Sequence, residues 1–120
     1  VTRGAWLGIQ GTSVTPEIAQ AMGLDDDQQG VLIQQVILDT PADEAGLLGG
    51  EEITDINGQQ VAVGGDVIVA ADGVPIEGFD SLLAFMQTTD PGQNVTFTVL
   101  RDGAAISVPI TLGERPATMP

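Results

Sequence analysis

The sequence predicts a small, mainly β domain of roughly five to seven short antiparallel strands with two helices. Three observations carry this reading: sixteen glycines and seven prolines are scattered among β-branched runs, three Asn-Gly or Asp-Gly pairs separate such runs, and one longer segment has a helical apolar period. With 120 residues, 42% of them hydrophobic, the chain is sized for one core.

In chain order, Trp6-Leu7-Gly8-Ile9-Gln10 reads as a first strand. Thr15-Pro16-Glu17 then opens a short helix running to Met22, with Thr as the cap, Pro at the first position and Gly23 as the stop. Asp25-Asp26-Asp27-Gln28-Gln29-Gly30 is a polar loop. Residues 31–38 are almost all Val, Ile and Leu, as a strand buried on both faces requires. Residues 41–45 predict one helical turn closed by Gly46.

Asn57-Gly58, Asp72-Gly73 and Asp102-Gly103 each predict a type I′ hairpin, because both central positions of that turn need positive φ. Phe79, Leu82, Leu83 and Met86 recur at i, i+3, i+4 and i+7, which predicts a helix over 79–88 ending before Asp90-Pro91-Gly92. Phe79, Leu83 and Met86 form one stripe, with Leu82 and Phe85 pointing elsewhere. Residues 95–99 and 106–110 alternate as two strands joined by the Asp102-Gly103 turn. The pattern Gly-Gly, acid, any residue, Ile occurs at 49–53 and again at 64–68, so one hairpin is followed by a near-copy of itself. Two copies are too few for a solenoid.

Composition removes most chemistry. Seventeen acidic residues against three arginines give a net charge of −14, which repels nucleic acid and anionic membrane surfaces. Without cysteine or histidine the chain offers no thiolate, no Cys/His zinc site and no Ser-His-Asp triad, and Ser13, Ser81 and Ser107 have no base in this chain. Asp25-Asp26-Asp27 lacks the alternating spacing of a calcium loop, and Asp39-Thr40 is followed by Pro41 where an aspartic protease motif needs Gly. No catalytic residue, metal site or cofactor is expected. No run reaches the roughly 18 apolar residues of a membrane span, so this fragment is expected to be soluble and not to insert.

The order of these pieces resembles a PDZ domain, specifically the circularly permuted kind that follows the protease domain in HtrA/DegP-type serine proteases. The resemblance is carried by Arg3-Gly4-Ala5-Trp6-Leu7-Gly8-Ile9-Gln10-Gly11, Thr40-Pro41-Ala42-Asp43-Glu44-Ala45-Gly46-Leu47, Gly65-Asp66-Val67-Ile68-Val69-Ala70-Ala71-Asp72-Gly73, and Pro91-Gly92 through Val99-Leu100-Arg101-Asp102-Gly103. It implies a partly open antiparallel β-barrel or sandwich, with residues 1–114 as a single domain and 115–120 as a flexible tail. The departure is an extra hairpin at about 51–64, read as an insertion. The start at Val1 is read as a domain cut from a longer chain.

A peptide can be held by adding it as a strand to a sheet edge beside a helix. Its terminal carboxylate then needs converging backbone N–H donors, and a loop containing Gly can present them. Leu7-Gly8-Ile9 fits that need. By resemblance, the amides around Leu7, Gly8 and Ile9 form the carboxylate-binding loop, with Arg3 as an added positive charge. The groove is expected between residues 6–10 and the helix over 79–88, with Trp6, Gln10, Phe79, Leu83 and Met86 as its walls. PDZ domains that select Ser or Thr two residues before the terminus place a His at the start of this helix; this chain has none, which favours apolar peptides. A Gly8→Val change is expected to block carboxylate binding without unfolding the domain, and Met86→Glu to weaken binding of apolar termini.

The resemblance implies a non-catalytic domain that binds C-terminal or extended segments of unfolded or partner polypeptides. It further implies an upstream trypsin-like protease domain of an exported parent, periplasmic, extracellular or membrane-anchored, and commonly trimeric, to which the domain delivers substrate or whose activity it regulates. Two other readings stay open: a structural or regulatory self-association module whose groove is filled by the 51–63 hairpin, the tail or a neighbouring subunit, and a PDZ domain of a site-2 metalloprotease or a C-terminal processing protease.

Overall fold

Two of the three expected turns form where the sequence demands them, and Asn57 of the third lies outside the described residues. Asp72-Gly73 and Asp102-Gly103 have φ of 49° and 80°, and of 53° and 80°, positive at both central positions. Thr15 accepts the Ile18 N–H through Oγ1 at 3.2 Å, and the helix after it starts at Pro16. These punctuation marks divide a computed structural model that describes residues 6–56 and 58–113. Its elements are β1 (Ile9–Ser13), α1 (Pro16–Ala21), β2 (Val31–Val36), α2 (Pro41–Ala45), β3 (Glu52–Ile56), β4 (Gln59–Val63), β5 (Val67–Ala71), β6 (Val74–Pro75), α3 (Phe79–Gln87), β7 (Asn94–Arg101) and β8 (Ala104–Thr111).

The main sheet runs β1-β2-β5-β7-β8, with the short β6 beside β5, and every pairing is antiparallel. β3 and β4 pair only with each other. The described residues thus hold eight strands and three helices in open sheets, above the expected five to seven and two. The difference comes from the two-residue β6 and the five-residue α2. The first strand begins at Ile9 rather than Trp6, because Trp6 instead exchanges hydrogen bonds with Gly113 just past β8. This joins the first described residue to the last.

Side-chain alternation along β2 and β5 builds two cores. Val31, Ile33 and Ile68 face one side, with Phe97, Leu82 and Met86. Leu32 and Val67 face the other, where Ile18 of α1 and Val61 and Val63 of β4 cover them. The inserted-looking hairpin therefore caps the sheet face opposite α3. The two Gly-Gly copies meet at its base, where a Cβ on Gly65 would strike the Ile33 carbonyl and the Gly50 nitrogen. The acids after them part ways: Glu51 is exposed, whereas Asp66 is 1% exposed. Asp66 takes a two-pronged ion pair from Arg101, Nε to Oδ1 at 2.9 Å and Nη2 to Oδ2 at 2.7 Å, and accepts the Leu48 N–H at 3.0 Å.

Candidate functional site

The segment before β1 is held by its carbonyls. Leu7 C=O accepts from the Ala42 N–H at 3.0 Å, and Gly8 C=O accepts from the Ile37 N–H at 2.9 Å. Among the described residues, the Leu7 and Gly8 N–H groups find no acceptor. The bond at Gly8 also sets the ladder phase, so that Ile9, paired opposite Val36, turns its N–H and C=O away from β2. Backbone donors left without partners are costly to bury dry and are suited to an anion.

Gly8 makes this geometry possible. Its φ is 93°, and a Cβ there would run into the side chain of Thr40. Thr40, 2% exposed, donates its hydroxyl to the Ile37 C=O at 2.7 Å and accepts the Asp43 N–H at 3.3 Å as the cap of α2. The loop is thus braced from below by a helix start. A side chain at position 8 would strain the fold as well as crowd the loop, which corrects the expectation that Gly8→Val leaves the domain folded.

Beside the loop lies an apolar cavity of about 130 Å³, lined by Trp6, Leu7, Gly8 and Ile9 on one wall and Phe79, Leu82, Leu83 and Met86 on the other. A dry cavity on the order of 150 Å³ takes a benzene-sized group, so one apolar side chain suits this one. The helix wall is fixed at its start, where the Phe79 N–H donates to Ser13 Oγ at 2.8 Å. Among the described residues β1 has β2 as its only neighbour in the sheet, and its other edge faces α3.

The structure brings Trp6, Leu7, Gly8, Ile9, Phe79, Leu83 and Met86 to this one cavity. Gln10 is not among its walls: it is exposed, on the face of β1 opposite Ile9. Leu82, expected to point elsewhere, lines the cavity and belongs to the core at once, because α3 packs on the core through Leu82 and Met86 while Leu83 stays exposed at the cavity wall. Met86 is likewise buried in that core, so Met86→Glu would bury a charge and unfold as much as it would unbind. Thr40 and Ser13 went unnoticed as supports; the Thr-Pro start of α2 was the available signal for the first. Arg3 and the segment 115–120 lie outside the described residues. Among the described residues there is no group of acids arranged to hold a metal and no helix long and apolar enough to cross a membrane.

Comparison with known proteins bears on the fold. The family described as PDZ domain matches residues 63–112. The periplasmic serine endoprotease DegP of Escherichia coli is 35% identical over 112 residues, which cover 93% of this chain and 20% of that protein. A probable periplasmic serine endoprotease, DegP-like, of Ectopseudomonas mendocina is 32% identical over 97% of the chain and 21% of its own length. The chain thus spans about a fifth of the curated relatives it matches. Among solved structures, the HtrA-type protease AlgW with a decapeptide has a TM-score of 0.74 and 29% identity, covering 95% of this chain and 30% of its own.

Proposed function

Because the chain belongs to the PDZ domains of the HtrA/DegP-type serine endoproteases, we propose that it binds the carboxyl end, or an extended segment, of another polypeptide along the free edge of β1. The observation that carries this is the pair of N–H groups of Leu7 and Gly8, without an acceptor among the described residues, at the mouth of an apolar cavity. The carboxylate is held by the amides of Leu7, Gly8 and Ile9, and the last side chain enters between Trp6 and Leu83. The backbone of the segment pairs with β1 as an added strand. Arg3 adds a positive charge near the carboxylate. No step of bond making belongs to this chain.

The hairpin of β3 and β4 packs on the far sheet face and takes no part in lining the cavity, which favours an open groove over one plugged by that hairpin. Residues 1–114 form one domain, 51–64 are an insertion into it, and 115–120 are a tail. The parent is an exported protease with its catalytic domain upstream, and this domain presents substrate to it or regulates it. The periplasmic DegP relatives support that assignment.

The test is a titration with paired peptides ending in Val or Leu, one a free acid and one amidated, read through Trp6, the single tryptophan, which is half-buried in the cavity wall. Binding of the free acid alone, with a shift in Trp6 emission, is the expected result. Equal binding of acid and amide would remove the carboxylate role from Leu7, Gly8 and Ile9, and no binding of either would overturn the peptide-binding reading.

A further inference from the structure

We propose that the groove selects segments whose apolar carboxyl end is preceded, about four to six residues upstream, by lysine or arginine. This deepens the peptide-binding reading and rests on it. A segment anchored at Leu7-Gly8 and antiparallel to β1 runs from Ile9 toward Ser13. Because β1 is five residues long, the fifth or sixth residue from the terminus leaves the sheet edge beside Ser13.

The groups at that end are acidic. Ser13 Oγ accepts the Phe79 N–H, the Val14 N–H donates to the Gly30 C=O at 2.9 Å, and the Gly30 N–H donates to the Glu77 C=O at 3.3 Å. These bonds place Glu77 at the outlet, and Asp80 sits in the first turn of α3 beside it. Both are exposed. Glu77 also shares a polar hollow of about 290 Å³ with Asp27 and Gln28, which adds a second carboxylate near Glu77.

Nothing described offsets them. Arg101, the one cation among the described residues, is engaged with Asp66 and the Gly46 C=O, and the whole chain carries −14. The apolar cavity and the outlet together therefore complement an apolar end with a basic stretch behind it. A segment with acidic residues at those positions would meet like charge at the outlet.

The test uses three peptides with one free Val terminus and Lys-Lys, Ser-Ser or Glu-Glu at the fifth and sixth positions from the end, titrated against the wild-type domain and a Glu77→Gln/Asp80→Asn variant. At low salt the Lys peptide is expected to bind on the order of tenfold tighter than the Glu peptide, and the ratio to fall toward one at about 0.5 M salt, where screening is nearly complete. The variant is expected to lower that ratio. Equal affinities for all three peptides, or a ratio unmoved by salt, would overturn the charge selection while leaving peptide binding intact. A salt-sensitive ratio unchanged by the variant would remove the role from Glu77 and Asp80. Failure of all three to bind would overturn the underlying reading instead.

Discussion

Gln34 and Ala62 pair as two strand residues do, although Gln34 uses only its side chain: the Ala62 N–H donates to Gln34 Oε1 at 2.8 Å, and Gln34 Nε2 donates to the Ala62 C=O at 3.1 Å. The carboxamide acts as a substitute peptide group that fastens β4 to β2, where no strand ladder connects them. Val61 and Val63 are thereby set down onto Leu32 and Val67.

Replacing Gln34 with alanine leaves both Ala62 groups short of a partner in a half-buried site. The expected loss is about 1–3 kcal/mol, measured as a drop in the denaturant midpoint. Amide exchange along 59–63 should accelerate more than along β7, while affinity for a free-acid peptide stays within about twofold.

Arg101→Met leaves Asp66, nearly inaccessible to water, with a backbone N–H from Leu48 but no cation. A loss of about 3 kcal/mol is expected, and Asp66→Asn in the same chain should restore part of it. The hydrogen bonds that Arg101 donates to Asp66 raise the Arg101 pKa from its ordinary value. A raised folded-state pKa contributes stability that is present at all lower pH and is lost only as pH rises through the arginine range, so thermal unfolding of wild type should show no decline from this pair between about pH 7 and 10.

Leu83 is 43% exposed and stands on the cavity wall, so it separates binding from folding better than its buried neighbours. Leu83→Gln should weaken binding of a Val-ended peptide by about three- to tenfold and change stability by no more than about 0.5 kcal/mol. Gly8→Val should instead destabilise by on the order of 3 kcal/mol, through its positive φ and its clash with Thr40.

Thr40→Val removes the α2 cap and the bond to Ile37 while keeping the shape under Gly8. About 1 kcal/mol of stability should be lost. If the brace sets the position of the loop donors, the preference for free acid over amide should also narrow, which paired titrations would reveal.

The punctuation of this fold was legible because it is local chemistry: Asp-Gly needs φ above zero twice, and Thr-Pro with a following Gly brackets α1 and α2. The groove was legible in outline, since an apolar stripe beside a Gly-containing loop names its two walls. What escaped depends on two partners at once. Leu82 serves sheet and cavity together because α3 is wedged between them, and the helical period marks one face without saying how many neighbours share it. The start of β1 at Ile9 was not legible because Trp6 bonds to Gly113, over a hundred residues away in sequence, and Gln10 lies outside the cavity because it is on the face of β1 opposite Ile9. Gln34, a polar residue within the apolar run 31–38, is the fastening of the hairpin, a role that depends on Ala62, 28 residues away in sequence.

β1 is an edge strand of the main sheet, and its pairing with β2 is bulged at Gln10-Gly11. Such a strand should be the first to fray and the last to settle, so its order is a quantity a ligand can supply. A peptide added at this edge, as proposed, is expected to raise the melting temperature with the logarithm of its free concentration and to slow amide exchange along 9–13.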